Sequence, residues 1–290
     1  MNLSAALQLG RVSNLPTVWS NVLVGMGLAG SVAADFRLLL VVVSLSLFYT
    51  GGMFLNDAFD HGFDAKARPE RPIPSGQVSA AQVHAFGFSM MIVGLVLLAW
   101  VGYRHEPLTQ WRPVAAGLAL AGAIVFYNWH HKNNPLSPLV MGVCRMLVYL
   151  TATLTVAAIV PAQVIYAAVV LLCYLIGLTY AAKKEHLGRL ENIWPLAFLA
   201  VPLVYGVYLA MAQPIVVFPL AALAAWTLYA LSLLRRRKPG DVPRAVVSLI
   251  AGISILDAML LAGAGAVMLA WFAVAAFGVT LALQRWVSGT

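Results

Sequence analysis

The chain has 290 residues, 62% of them hydrophobic and only 10% charged, with a mean hydropathy of +0.87 and a formal net charge of +8. Such a composition cannot be solvated as a soluble globule and marks a polytopic membrane protein. The positive excess would suggest nucleic acid in a soluble chain, but here it lies in loops between apolar runs, shows no nucleic-acid module, and reads as orientation and lipid contact.

Apolar runs recur at 15–32, 38–55, 80–101, 114–127, 138–160, 163–182, 193–211, 215–234, 245–265 and 267–283. Most reach the roughly 20 residues needed to cross a bilayer as a helix, and their length excludes the strands of an outer-membrane barrel. Fourteen of the 18 Lys and Arg residues fall at the N-terminal end or after even-numbered runs, while Arg37, Arg104 and Arg112 lie on the other side and Arg145 lies inside the fifth run. The excess of basic residues on one side predicts ten spans with both termini cytoplasmic, in a bacterial plasma membrane. Residues 263–265 read either as a turn between the last two helices or as part of one kinked helix, which leaves nine spans as the alternative. The fold class is therefore all-α, one membrane helix bundle over 1–290, with no cleavable signal peptide. Cys144 and Cys173 fall within spans, without the spacing of a metal or redox pair, and read as packing residues.

Polar side chains are costly at membrane depth, so their positions carry the information. After the second run comes NDAFDHGFDAKARPERPIPSG, residues 56–76. If this stretch is helical, Asn56, Asp60 and Asp64 fall at i, i+4 and i+8 on one face, with Asp57 three residues before Asp60. Carboxylates stacked on one stripe repel one another and favour a divalent cation, and hard oxygen donors suit Mg2+. The basic, proline-rich tail with Lys66, Arg68 and Arg71 is followed by Pro72, Pro74 and Gly76, and the prolines end the helix, so cations are held beside the acids. His61 faces away from them, and His84 reads as a hydrogen-bonded interfacial group. After the fourth run come Tyr127, Asn128, His130, His131 and Lys132; the two adjacent histidines point apart on any regular backbone and do not make a metal site. After the sixth run come Tyr180, Lys183, Lys184, Glu185, His186, Gly188, Arg189, Glu191 and Asn192. All three segments share one membrane face, and the two acidic ones, four spans apart, hint at a duplicated four-helix unit. A polar mouth with metal and basic groups above an apolar interior suits a ligand with a diphosphate head and a hydrocarbon tail.

The run NDxxDxxxD at Asn56 to Asp64, followed by RPIPSG at Arg71 to Gly76, resembles the first signature of the UbiA superfamily of intramembrane prenyltransferases. The resemblance implies a helical bundle with a central cavity open near the cytoplasmic side, where Mg2+ and a prenyl diphosphate bind and the prenyl group passes to an acceptor. By position it implies Asn56, Asp60 and Asp64 as metal ligands, with Asp57 nearby, and Arg71 and Lys132 facing the diphosphate. The family's second signature is altered. Where a Lys-Asp and a Gly-Asp are usual after a tyrosine, this chain has Tyr180, Lys184-Glu185 and Gly188-Arg189. Glu185 retains a carboxylate on a longer arm, whereas Arg189 cannot ligate Mg2+; it either contacts phosphate directly or pairs with Glu185. These departures, with Cys144-Arg145 and the run from Glu191 to Pro195, resemble the EboC-like branch of the superfamily.

Polar positions in or beside the spans complete the reading. Arg145, early in its span, is placed to pair with an acid of either segment. Asp257 in the ninth run is a site residue or a hydrogen-bonded carboxyl where helices approach at Gly252 and Ser254. Asn14 and Asn21 line the cavity or join helices, and Tyr127 and Tyr180 sit where a ligand would enter. The function expected is Mg2+-dependent transfer of a prenyl group from an isoprenyl diphosphate to a small lipophilic or aromatic acceptor. In it, Asp60, Asp64 and Glu185 are catalytic, and Arg71, Lys132, Tyr127, Arg145, Tyr180, Lys184 and Arg189 contact substrate. The alternative is a membrane protein that binds or moves a polyisoprenoid lipid without breaking its diphosphate bond. An ion-coupled transporter would place its acids nearer mid-bilayer.

Overall fold

A computed structural model describes residues 1–30, 36–105, 108–132, 134–183, 194–236, 238–287 and 289. The described residues contain helices and no strand: α1 (Leu3–Leu9), α2 (Leu15–Gly27), α3 (Phe36–Phe59), α4 (His61–Ala67), α5 (Ala80–Arg104), α6 (Arg112–His130), α7 (Ser137–Leu154), α8 (Ala162–Lys183), α9 (Val201–Ala212), α10 (Val217–Arg236), α11 (Asp241–Gly263) and α12 (Val267–Leu283). Seven helical stretches among them are long and apolar enough to cross a membrane, with Trp194–Ala212 counted as one, and Val267–Leu283 is a shorter apolar helix. The all-α membrane bundle expected from composition is what forms.

Local sequence sets the helix ends. Proline occupies the first turn of α2, α6, α7 and α9, where its missing N–H leaves no bond unmade. Ser79 caps α5 in a reciprocal box: its hydroxyl accepts from the Gln82 N–H, and the Gln82 side chain accepts from the Ser79 N–H. α7 stops at Leu154, short of the predicted 160, and Thr155 just beyond it turns its hydroxyl back onto the Ala152 carbonyl at 2.6 Å. The seventh run opens as a 3-10 helix over Trp194–Ala200 before α9, because Pro202 cannot donate into an α-helical turn. At 263–265 a turn separates α11 from α12, with Gly265 at φ +75°, a conformation that glycine adopts without steric cost.

The apolar interior falls into a small cluster around Leu9, Phe54 and Val83 and two large ones. One is built from α2, α3, α5, α6 and α7, around Leu45, Phe48, Leu55 and Leu98. The other is built mainly from α8, α10 and α11, around Tyr174, Leu223, Leu249 and Leu256. α2 lies between the halves, packed against α3, α7, α11 and α12. Its approach to α7 needs a glycine: a Cβ on Gly25 would stand 2.5 Å from the Tyr149 carbonyl oxygen. α11 is buried along nearly its whole length and forms the central post of the second half.

Candidate active site at the polar end of the bundle

The acid-bearing stretch straddles the junction of α3 and α4. Asn56 and Asp57 occupy the last turn of α3, Asp60 sits at the junction and Asp64 lies in α4. Backbone bonds from the Asp60 N–H to the Asn56 carbonyl (3.0 Å) and from the Asp64 N–H to the Asp60 carbonyl (2.9 Å) carry the helical register across it. The predicted spacing is thus kept, but the acids do not converge on one point. Arg71 Nη1 donates to Asp57 Oδ1 at 3.1 Å and to Asp64 Oδ2 at 2.8 Å. Asp60 faces α6 instead, with Lys132 Nζ 2.9 Å from Oδ1 and His131 Nε2 3.3 Å from Oδ2. Burial pushes the Asp60 carboxyl up, but the hydrogen bonds from His131 and Lys132 outweigh it and hold the group below the usual carboxylate range. Among the described residues no three His, Cys, Asp or Glu side chains form a ready-made metal site.

Arg11, which in the sequence is one of the basic residues at the N-terminal end, completes the cluster. Its Nη2 donates to Asn56 Oδ1 and Asp57 Oδ1, both at 3.3 Å, and Nη1 lies 3.4 Å from the Met53 sulfur. Asp57 holds its guanidinium protonated against burial. The backbone of Arg11 is left-handed, at φ 41° and ψ 48°, which is uncommon for a residue with a Cβ and here turns the chain from α1 into α2. The signal available in the sequence was an arginine three residues before Asn14, on the face that carries the acids. Asn128 was seen as loop polarity; it ties α6 to α3 by accepting from Asn56 Nδ2 at 3.1 Å and donating to the Gly52 carbonyl at 3.0 Å.

Below this cluster a cavity of about 260 Å³ enters the bundle between the two halves. Arg11, Arg68, Tyr127 and Asn128 line it with Asn14 and Arg145, and its walls are apolar: Leu45, Phe48, Leu120, Ile124, Val148, Leu175, Leu178 and Ile253. Tyr127 stacks on His131 with centroids 5.0 Å apart, linking the cavity wall to the Asp60 partner. His130 stacks on Phe126, so the two histidines do point apart. His61 turns to the Ala58 carbonyl and His84 to that of Ala80.

Several expectations are corrected. Arg145 pairs with no acid of the first segment; its Nη1 donates to Asn21 Oδ1 (2.9 Å) and its Nη2 to Thr17 Oγ1 (3.1 Å), because α7 carries it to α2, away from α4. Tyr180 packs against the core of the second half and is not part of the cavity lining. Arg71 and Lys132 contact carboxylates, not the cavity. Asn14 lines the cavity and also bonds the Gly289 carbonyl at 2.9 Å, while Asn21 joins helices. Lys184, Glu185 and Arg189 lie outside the described residues, as do His186, Gly188, Glu191 and Asn192.

Residues 18–256 match the UbiA prenyltransferase family. A stretch of 133 residues is 32% identical to the digeranylgeranylglyceryl phosphate synthase of Methanopyrus kandleri, covering 46% of this chain and 45% of that protein. Another of 118 residues is 35% identical to the protoheme IX farnesyltransferase of Korarchaeum cryptofilum, covering 40% and 37%. The matched stretch thus spans less than half the length of these relatives. Among solved structures, the apo form of a UbiA homolog from Aeropyrum pernix K1 superposes with a TM-score of 0.64 at 14% identity, covering 87% of this chain and 96% of that one. A UbiA homolog from Archaeoglobus fulgidus bound to DMAPP and Mg2+ gives 0.51 at 14% identity, covering 89% and 99%. At these identities the likeness is one of fold.

Proposed function

The chain belongs to the UbiA prenyltransferase family, and we propose that it moves a prenyl group from an isoprenyl diphosphate to a small lipophilic or aromatic acceptor within the membrane, with Mg2+ as cofactor. One observation carries this reading: a band of acids and cations at one end of the bundle adjoins a largely apolar cavity, with Arg11 both lining the cavity and bonded to Asn56 and Asp57. The donor set fits the cofactor, since the amide oxygen of Asn56 and the carboxylates of Asp57, Asp60 and Asp64 are hard ligands in helical register. Their present partners are cations, whose place a divalent ion can take. Mg2+ held there would neutralise charge on the departing diphosphate.

The chain's own groups do the rest. Arg11, Arg71 and Lys132, released from the carboxylates, donate to diphosphate oxygens as the allylic C–O bond breaks and the electron pair leaves with the diphosphate. The apolar walls keep water from the allylic cation. The acceptor nucleophile supplies the new bond and loses a proton, for which Glu185 is the candidate base. Arg145 and Tyr127 contact substrate from the cavity wall, and by sequence position Lys184 and Arg189 are the candidate phosphate contacts of the second signature. We place this mouth on the cytoplasmic side of a bacterial plasma membrane, following the distribution of basic residues.

A non-catalytic carrier has less use for four oxygen ligands in register, and that favours the enzyme. The test offers labelled prenyl diphosphates to the detergent-purified protein with and without Mg2+ and measures diphosphate release. Mg2+-dependent binding without release, for every donor and acceptor tried, would support the carrier instead. Asp60→Asn and Asp64→Asn should abolish Mg2+-dependent binding; unchanged binding sinks the metal assignment.

A further inference from the structure

A second cavity, of about 780 Å³, lies on the flank of the bundle and shares no lining residue with the first. One wall is the 3-10 stretch Trp194–Ala200 with the start of α9, through Leu196, Leu199 and Leu203. The other is α10, where Thr227, Leu231 and Arg235 follow one another at i, i+4 and i+8 on a single face. The gap has a local cause. Leu199 is seated against Gly177 of α8, where a Cβ would stand 2.7 Å from its Cγ, so the 3-10 stretch is drawn onto α8 and stands off α10. In the spans Trp194–Ala212 and Pro214–Arg236, 22% of the 18-residue apolar stretch is buried in the protein, against 89% in α11. The groove therefore faces the bilayer, and what fills it there is lipid.

Two polar groups in the groove say which lipid. Arg236 is committed, its Nε and Nη2 donating to the carboxylate of Asp241 at 2.8 and 2.6 Å. Arg235 beside it has no partner among the described residues and lines the groove where the span ends. Its guanidinium is a free fork for phosphate oxygens at the membrane surface. Thr227 is 2% exposed, and its hydroxyl has no hydrogen-bond partner among the described residues, although a buried hydroxyl ordinarily finds one. It stands eight residues earlier on α10, about 12 Å along the helix, a span that a phosphate, its glycerol and the acyl esters fill. A wholly hydrocarbon occupant leaves both groups unmet. A zwitterionic head group brings its own cation to Arg235, so an anionic one is favoured.

We infer that this flank groove is a binding site for one anionic glycerophospholipid, with its phosphate on Arg235, an acyl ester on Thr227 and an acyl chain lying between α10 and the stretch Trp194–Ala200. The volume falls within the usual range for small-molecule sites, enough for the glycerol region and part of the chains, whose ends run on into the bilayer. The site is separate from the acid cluster and does not depend on the prenyl-transfer reading.

Native mass spectrometry of the full chain tests this. The protein is released from detergent micelles carrying equal amounts of phosphatidylglycerol and phosphatidylcholine with matched acyl chains, and the retained lipid is counted. One phosphatidylglycerol should be retained, about fivefold over phosphatidylcholine, the worth of one basic residue toward an anionic lipid. Arg235→Gln should remove that preference, while Arg285→Gln, which changes an exposed cation outside the groove, should keep it. Thr227→Val, alike in shape without the hydroxyl, should weaken retention about threefold, the worth of a neutral hydrogen bond. Ala200→Trp, at an exposed position of the groove wall, should displace the lipid altogether. Should Ala200→Trp fail to fold, the exposed Arg235→Gln and Thr227→Val decide. Retention without head-group preference, a preference that survives Arg235→Gln or is lost equally in Arg285→Gln, full retention in Thr227→Val, or displacement of the lipid by geranylgeranyl diphosphate without Mg2+ each overturns the inference.

Discussion

Arg71 reaches back seven residues to Asp64, its Nη1 2.8 Å from Oδ2, so the proline-rich tail after α4 folds its own cation onto the acids that precede it. The same nitrogen meets Asp57 at 3.1 Å, and both carboxylates are nearly buried. Arg71 therefore supplies the positive charge that, in the function proposed above, Mg2+ would take over.

Arg71→Ala should lower stability in Mg2+-free buffer by about 1.5–3 kcal/mol, the worth of charged hydrogen bonds whose partners are left buried. Added Mg2+ should then stabilise the variant more than the wild type. Thermal melts with and without Mg2+ check this, and an equal Mg2+ response in both proteins contradicts it.

Arg11→Lys keeps the charge but loses the fork that spans Asn56 and Asp57. The KM for the prenyl diphosphate should rise about tenfold, one charge-assisted bond, with a smaller change in kcat. Steady-state kinetics with varied donor decides; a change confined to kcat would move Arg11 away from donor binding.

Asp60 is held below its ordinary value of 3.8 by His131 and Lys132 acting against burial. A depressed carboxyl contributes stability that is fully present above the unfolded value, about pH 4, and is lost as pH falls through the lower folded value. An Asp60-dependent loss of stability should thus appear on the acid side of about pH 4, and Asp60→Asn should flatten that acid limb of a melting-temperature profile. An acid limb identical in wild type and Asp60→Asn would refute this.

Gly25→Ala places a Cβ 2.5 Å from the Tyr149 carbonyl and 2.7 Å from the Ala152 Cβ, both on α7. Helix packing must open, at about 1–3 kcal/mol. Gly122→Ala meets nothing within 4 Å and should be neutral or slightly stabilising. Unfolding of the two variants side by side in detergent tests the contrast.

Much of the fold was legible because membrane helices announce themselves by length and apolarity. Each of the ten predicted runs overlaps a single α-helix, and the runs at 193–211 and 215–234 open as 3-10 helix. Helix ends were less legible: α7 stops early at a threonine-rich turn, and Pro202 splits the stretch before α9. At the site, the spacing of Asn56, Asp60 and Asp64 on one stripe held, since it depends only on helical register. Their partners were not legible. Arg11 lies 46 residues from Asp57, Arg71 lies 7 from Asp64 and 14 from Asp57, and Asn128 lies 72 from Asn56.

The sequence by itself determined that this is a helical membrane protein with oxygen ligands and cations gathered on one face, because hydropathy and helical period are local properties. Only the tertiary structure decided that Asp60 turns to α6 while Asp57 and Asp64 share Arg71, that Arg11 joins them, and that Arg145 leaves the acids for Asn21 and Thr17. Those choices depend on which helices meet. Packing contacts such as Gly25 against Tyr149 fix that, and a charge pattern read along one strand of sequence does not contain it.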